Sequence, residues 1–463
     1  MDHELTLRDM GAQPRDHGRA GGLRRLVGDV LMGSSGRVVR LVVAVGMLSG
    51  LVAAVFLAAL TVLVGLIGPE RWGGLTQVLI LGGAGAVIGL LILLLGNPGD
   101  VELLVGNIHL SGGRDDIRDL RSLVPVSLIG IAAGSAIGPE APLVQTTGSI
   151  GSWLALRLRL DEGELRQLTI AGMAAGFTVL LGAPVGSSIF ALEILHRRGL
   201  EYYEALVPAL LGAITGYAVF AAITGLGLEP YLILPPPHRL EVIDFGVGLT
   251  AGFAGAAVAV LFTYLVATFR AGMRRLPAGV RPIVGGVLLG LLGVATPFAL
   301  TFGEEQINEI VATEFGVAVM LGAAAAKLAG SALITTAGWR GGFIIPLFFV
   351  GACLGTVAAE LLGVDRTVAM TCLMAAAVVG VTKTPLGSTL VVSEIAGLAV
   401  LPPVLLASLT ALILTSRVNL IHSQQSREGE FAPASVGAQA GTGVALLQLG
   451  EHRHEHDQTP GLP

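Results

Sequence analysis

Two cysteines, Cys353 and Cys372, are all that 463 residues contain, and both sit in apolar segments without a CxxC or other ligand spacing. Disulfide scaffolding, thiol redox chemistry and a cysteine-held metal are thereby excluded, and buried inert thiols are expected. Charge is scarce as well. Only 13% of the chain is Asp, Glu, Lys or Arg, while 53% is hydrophobic, against about 25% charged residues in an average soluble domain. No Walker sequence is present, which argues against direct use of ATP, and nothing points to nucleic acid. The net charge of −5 says little about partners in a chain whose surface is mostly lipid-facing. A large soluble effector domain is missing too, which weighs against a sensor or scaffold. His452, His454 and His456 alternate with charged residues and read as a solvated tail rather than a metal site. No enzyme, metal or cofactor is expected.

What the chain has in excess is glycine, 66 residues of it, and long apolar stretches. These run near 39 to 66, 75 to 95, 165 to 195, 203 to 225, 243 to 268, 282 to 300, 316 to 334, 343 to 363, 366 to 392 and 397 to 415. Each approaches the length that crosses about 30 Å of hydrocarbon, so the chain reads as an all-α integral membrane protein. Several stretches are interrupted by Gly or Pro. Broken helices at membrane depth survive only where protein or a water-filled cavity surrounds them, which favours a transporter or channel over a simple anchor. Before the first stretch lie Arg8, Arg15, Arg19, Arg24, Arg25 and Arg37, with Arg40 at its start. There is no apolar core of a cleavable signal peptide, and the positive charge places the N-terminus in the cytoplasm.

Within this apolar chain, Gly138-Pro139-Glu140-Ala141-Pro142 combines a carboxylate with two helix-starting prolines. An ionisable side chain at bilayer depth is costly, so it usually lines a cavity, pairs, or lies on an ion pathway. Proline suits a first helical turn, so the stretch reads as a loop feeding a helix at about Ala141. The free N–H groups and dipole of such a helix start form an anion site. Glu140 either competes with a transported anion there or merely caps the helix; the local sequence leaves both open.

An internal repeat strengthens the first reading. At an offset of 204 residues, Ala133, Gly134, Gly138, Pro142, Leu143 and Gly151 meet Ala337, Gly338, Gly342, Pro346, Leu347 and Gly355. At 201, Met173, Pro184, Gly186, Ser187 and Glu193 meet Met374, Pro385, Gly387, Ser388 and Glu394. Two halves with broken segments at matching places point to a binding site between them near the midplane. If the halves are inverted, two helix N-termini converge on one point, an anion site that needs no buried cation.

At these residues the chain resembles the CLC family of chloride channels and chloride/proton exchangers. Gly138 to Gln145 is similar to that family's GREGPxVQ motif, Gly341 to Pro346 to its GGxFxP motif, and Ala183-Pro184 with Glu193 to its AP…E helix. The resemblance implies a two-half inverted repeat of broken, tilted helices over residues 39–422, with halves at about 39–225 and 243–422. Residues 1–38 then form a cytoplasmic segment and 423–463 a disordered cytoplasmic tail. It implies a homodimer in the cell membrane, multi-pass, moving chloride or another small anion, with or without protons. Glu140 matches the gating glutamate, flanked by Gly138 and Ala141, and the amides about Gly342, Phe343 and Ile344 match the donors to the anion.

The departures are informative. The family's serine hydroxyl is absent; the nearest stretch offers Asn97 as donor and Asp100, read as a helix cap. Its tyrosine falls at Ile421, its arginine before the gate at Pro139, and its second, inner glutamate at Ile194. Glu193 and Glu394 read as caps at helix ends. Lys327, Arg340 and Lys383 read by default as packed or snorkelling side chains, with the alternative that they raise the anion potential of a vestibule. The expected function is chloride passage gated by Glu140, as a channel or a loosely proton-coupled transporter. A fluoride/proton antiporter is the alternative, then a secondary transporter of another small ion, or a scaffold.

Overall fold

The structure, a computed structural model, describes residues 34–69, 71–72, 74–99, 117–195, 203–225 and 232–421. The tail from 423, nearly all of 1–38, and Asp100 lie outside the described residues. The first half comprises α1 (Ser34–Ile67), α2 (Leu75–Leu95), α3 (Leu120–Ala132), α4 (Glu140–Arg157), α5 (Glu162–Leu181), α6 (Pro184–Glu193) and α7 (Leu206–Thr224). The second comprises α8 (Val242–Met273), α9 (Arg281–Ala295), α10 (Glu304–Ala312), α11 (Val317–Thr336), α12 (Ile344–Leu362), α13 (Arg366–Thr382), α14 (Pro385–Ala396) and α15 (Leu401–Leu414). Six of these, α1, α2, α7, α8, α11 and α12, are long and apolar enough to cross a membrane. Of the rest, α4 and α5 are long enough but not apolar enough, and the others are shorter.

Two stretches that read as single spans each resolve into a broken pair. Residues 165 to 195 become α5 and α6, parted at Gly182 (φ 65°), and 366 to 392 become α13 and α14, parted at Lys383 (φ 64°). These positions correspond at the offset of 201, and Pro184 and Pro385 then start the next helix in both halves. A non-glycine residue in the left-handed region costs about 1–2 kcal/mol. At Lys383 the side chain supplies compensation: its buried ammonium donates to the carbonyls of Gly380 and Thr415 and to the Thr415 hydroxyl. Lys383 therefore ties a helix end and is not a vestibule charge.

The repeat is visible as packing. A Cβ on Gly151 would stand 2.2 Å from the Leu168 carbonyl oxygen, and one on Gly355 would stand 2.3 Å from Met370 Cα. The matched glycines are thus the contact points of α4 on α5 and of α12 on α13, where small residues let backbones approach. The matched glutamates exchange places. Glu193, ending α6, accepts from Leu386 N (3.2 Å) and Gly387 N (2.6 Å) at the start of α14, while Glu394 accepts from Val185 N (3.3 Å) and Gly186 N (2.7 Å) at the start of α6. Each carboxylate satisfies orphan donors at the positive end of the other half's helix. Both glutamates are caps, as their positions at helix ends suggest.

The segment leading into α8 is fastened by a side chain that no motif or spacing singles out. His238 lies 2.9 Å from Asp365 Oδ2 and 3.2 Å from Asp244 Oδ2. Asp365 caps α13 through Val368 N at 2.8 Å, and Asp244 accepts from Glu241 N at 2.7 Å. The Asp365 carboxylate, opposed by burial and aided by the charges of Asp244 and Glu241, raises the imidazole pKa above its ordinary 6.5. Burial would push Asp365 up, but Val368 N–H and His238 together hold it below its ordinary 3.8. A raised histidine stabilises fully below 6.5 and loses its contribution as pH rises through the folded value; a lowered aspartate loses its own as pH falls. Amide-exchange protection of residues 232–241, corrected for intrinsic rate, should therefore fall as pH rises above the ordinary imidazole range. In His238→Gln the protection should be lower at the acid end and lose that slope.

Candidate functional site

The loop between α3 and α4 is held on every side by groups from distant parts of the chain. Gln77 Nε2 donates to Ala133 O (2.8 Å), Thr301 N to Gly134 O (2.9 Å), and Ser331 Oγ to Ala136 O (2.6 Å). Buried backbone acceptors need partners, and here they come from three separate elements. Behind Thr301 stands Lys327, fully buried, donating to Leu300 O (2.6 Å), Thr301 O (2.7 Å) and Gln306 Oε1 (2.8 Å), with its ammonium 4.9 Å from the centre of the Phe349 ring. Its three donors are all engaged, so Lys327 braces the loop and is no vestibule charge. Lys327→Met leaves two buried carbonyls without that donor, each worth about 1–3 kcal/mol. A clearly lowered thermal midpoint in detergent is the expected result.

The loop ends in contact with its repeat partner. Gly138 N donates to Gly342 O (2.8 Å) and Gly342 N to Gly138 O (2.7 Å), an isolated antiparallel bridge between the matched glycines. Neither glycine is needed for a left-handed φ; both are needed for space. A Cβ on Gly138 would lie 2.2 Å from Glu140 Oε2, and one on Gly342 would lie 2.5 Å from the same oxygen and 2.8 Å from Glu140 Cβ.

Above this bridge Glu140, fully buried, begins α4 but does not cap it. Its Oε1 accepts from Ile345 N at 2.7 Å, across 205 residues, in the first turn of α12. Its Oε2 meets no hydrogen-bond donor among the described residues. The carboxylate therefore sits at the positive end of the opposite half's helix, where Phe343 and Ile344 occupy the N-cap and first positions and their amides have no intrahelical acceptor. Of the two readings the local sequence allowed, a cap on its own helix is not what this geometry shows.

A small cavity of about 20 Å³ adjoins Glu140, and its lining gathers Ala141, Gly342, Phe343 and Ile344. That volume holds roughly one water-sized particle. Val144, Met173 and Phe177 make most of its remaining wall apolar, and Ile194 lies in that wall. The position at which a second glutamate was looked for thus faces the cavity but brings no proton acceptor. Thr382 also lines it, a residue not singled out from sequence, and its hydroxyl begins a buried chain to Thr384 (2.7 Å) and Ser388 (2.8 Å).

Asn97 and Ile421 are not brought to Glu140. They line a larger cavity of about 370 Å³, and Phe343 is the residue the two cavities share. Arg340 lines that cavity as well and donates from Nε to Pro98 O at 3.1 Å. Of the three basic residues weighed as vestibule charges, Arg340 is the one found in the lining of this cavity.

This arrangement can be set beside known proteins. Residues 99–416 match the family model described as voltage gated chloride channel. The chain belongs to that family. As a CLC protein it is a multi-pass membrane protein of anion transport. A relative from Pseudomonas syringae pv. tomato, named chloride/fluoride channel protein, is 27% identical over 360 residues, 74% of this chain and 77% of its own length. The CLC fold is shared with a crystal structure of a CLC-type fluoride/proton antiporter (TM-score 0.73, 24% identity, 84% of this chain and 98% of that one). It is shared too with a slow cyanobacterial Cl⁻/H⁺ antiporter (TM-score 0.72, 18% identity, 82% and 94%).

Proposed function

We propose that this CLC protein passes small inorganic anions, chloride foremost, along a path from the larger cavity past Phe343 to the small one, with Glu140 as the gate. The observation that carries this is the Glu140 carboxylate bound to Ile345 N at the start of α12. A carboxylate among amide donors is a substitute anion, and protonation removes both its charge and its claim to the site. The donors are chiefly the amides of Phe343, Ile344 and Ile345, with Ala141 also in the cavity wall and Gly138 holding Gly342 in place through their paired hydrogen bonds. Pro139 adds no donor, since proline lacks an N–H. The active form is a homodimer in the cell membrane, with residues 1–38 and 423–463 on the cytoplasmic side.

Ile194 in the cavity wall favours a channel or loose proton coupling, because among the described residues Glu140 is the one carboxylate lining that cavity. Simultaneous chloride and proton flux from proteoliposomes tests the reading. Chloride movement with little or no opposed proton movement supports it; no chloride, nitrate or fluoride flux above empty liposomes defeats it. A second reading, a fluoride/proton antiporter, is favoured by the tightness of the 20 Å³ cavity and by the chloride/fluoride name of the Pseudomonas syringae relative. Fluoride efflux coupled to protons, with little chloride flux in the same assay, would select it.

A further inference from the structure

The larger cavity contains more positive charge than passage of a monovalent anion requires. Arg270 and Arg274, one turn apart at the end of α8, Arg281 at the start of α9, and Arg340 before the Gly341-Gly342 turn all line it, and no Asp or Glu does among the described residues. Its roughly 370 Å³ corresponds to about a dozen waters at about 30 Å³ each, so a halide there keeps its hydration and meets no fitted site. Four guanidiniums gathered around one cavity repel one another unless an anion lies between them. Two of them are pre-positioned by their own backbone contacts: Arg281 Nε donates to Leu276 O at 2.8 Å and Arg340 Nε to Pro98 O at 3.1 Å. Planar forks set around a roomy cavity match oxyanions, which accept paired N–H donors, better than spherical halides.

We propose that this cavity binds a polyvalent oxyanion of the phosphate or pyrophosphate class, and that its occupant blocks the path at Phe343. The blocking role rests on the anion-pathway reading above; the binding site does not. Inorganic pyrophosphate titrated into the purified full-length protein, followed by calorimetry and by the fluorescence of Trp339 in the cavity wall, should bind saturably. Affinity should fall at least about tenfold in the Arg270→Gln/Arg274→Gln pair and fall with added salt. The Arg270→Lys/Arg274→Lys pair, which keeps the charge and loses the forks, should lie between. Absence of saturable binding, or equal affinity in all three proteins, overturns the site. Short-chain phosphatidic acid that displaces pyrophosphate at lower concentration than inorganic phosphate does would assign the cavity to a lipid headgroup and overturn the soluble-ligand form. In proteoliposomes, pyrophosphate on one face should slow chloride flux, with less effect on the glutamine pair. Binding without slowing overturns the block, and arginine-dependent binding in a protein that moves no anion keeps the site while defeating the transport reading.

Discussion

Replacing Glu140 by glutamine should leave chloride flux nearly independent of pH, whereas flux through the unaltered protein should rise as pH falls. Glutamine keeps the shape and one acceptor oxygen for Ile345 N but carries no charge, so it represents the protonated carboxyl at every pH. The magnitude follows from Coulomb's law. A carboxylate and a chloride about 4 Å apart repel by about 4 kcal/mol at an effective dielectric near 20, so an anion can hold the α12 site only when Glu140 is neutral or has swung away. Removing that charge should raise anion affinity at the site by at least about tenfold, the equivalent of about 1.4 kcal/mol. Should the glutamine protein keep the pH dependence of the original, Glu140 is not the gate. Any proton flux opposed to chloride should vanish in this variant, because no other carboxylate lines the small cavity among the described residues.

Gly342→Ala should produce the same flattening without replacing a titratable group, together with a loss of stability. The added methyl would lie 2.5 Å from Glu140 Oε2, which can swing away, and 2.8 Å from Glu140 Cβ, which cannot. The carboxylate is therefore forced off Ile345 N, and the Gly138–Gly342 bridge must part. Overpacking of a tight contact costs about 1–3 kcal/mol, and the cost should appear in the thermal midpoint. Gly322→Ala is the matched control, because a methyl there meets nothing within 4 Å. An unaltered pH profile in Gly342→Ala would mean that the crowding of Glu140 between the two glycines has no part in gating.

Much of the site was legible because the residues that make it are rare ones in register. Gly138 and Gly342, matched at an offset of 204, are hydrogen-bonded to each other, and Glu193 and Glu394, matched at 201, cap each other's helices. Proline, glycine and glutamate in an apolar chain stand out in one dimension. What stayed hidden depends on contacts in three. The stretch 165 to 195 is apolar throughout its break, so only Pro184 hinted that it was two helices. Helix α3 escaped the apolar pattern because Ser122, Pro125 and Ser127 dilute it, although Ser127 turns its hydroxyl back onto Leu123 O at 2.6 Å and buries no free donor. Asn97 and Ile421, matched by resemblance to the anion's side-chain donors, line the larger cavity together with Phe343. Arg270, Arg274 and Arg281 looked like ordinary residues at a helix end and a loop; only the fold brings them around the same cavity as Arg340.

On the proposed reading the Glu140 carboxylate occupies an anion site built from the first amides of α12. The decisive measurement is anomalous diffraction from bromide-soaked crystals of the unaltered protein and of Glu140→Gln, grown at the same pH above the usual carboxylate range. The expected result is a bromide within hydrogen-bond reach of Ile345 N and its neighbours in the glutamine protein, and no bromide there while the carboxylate is in place. Bromide bound at that position in both proteins, or in neither, would contradict it.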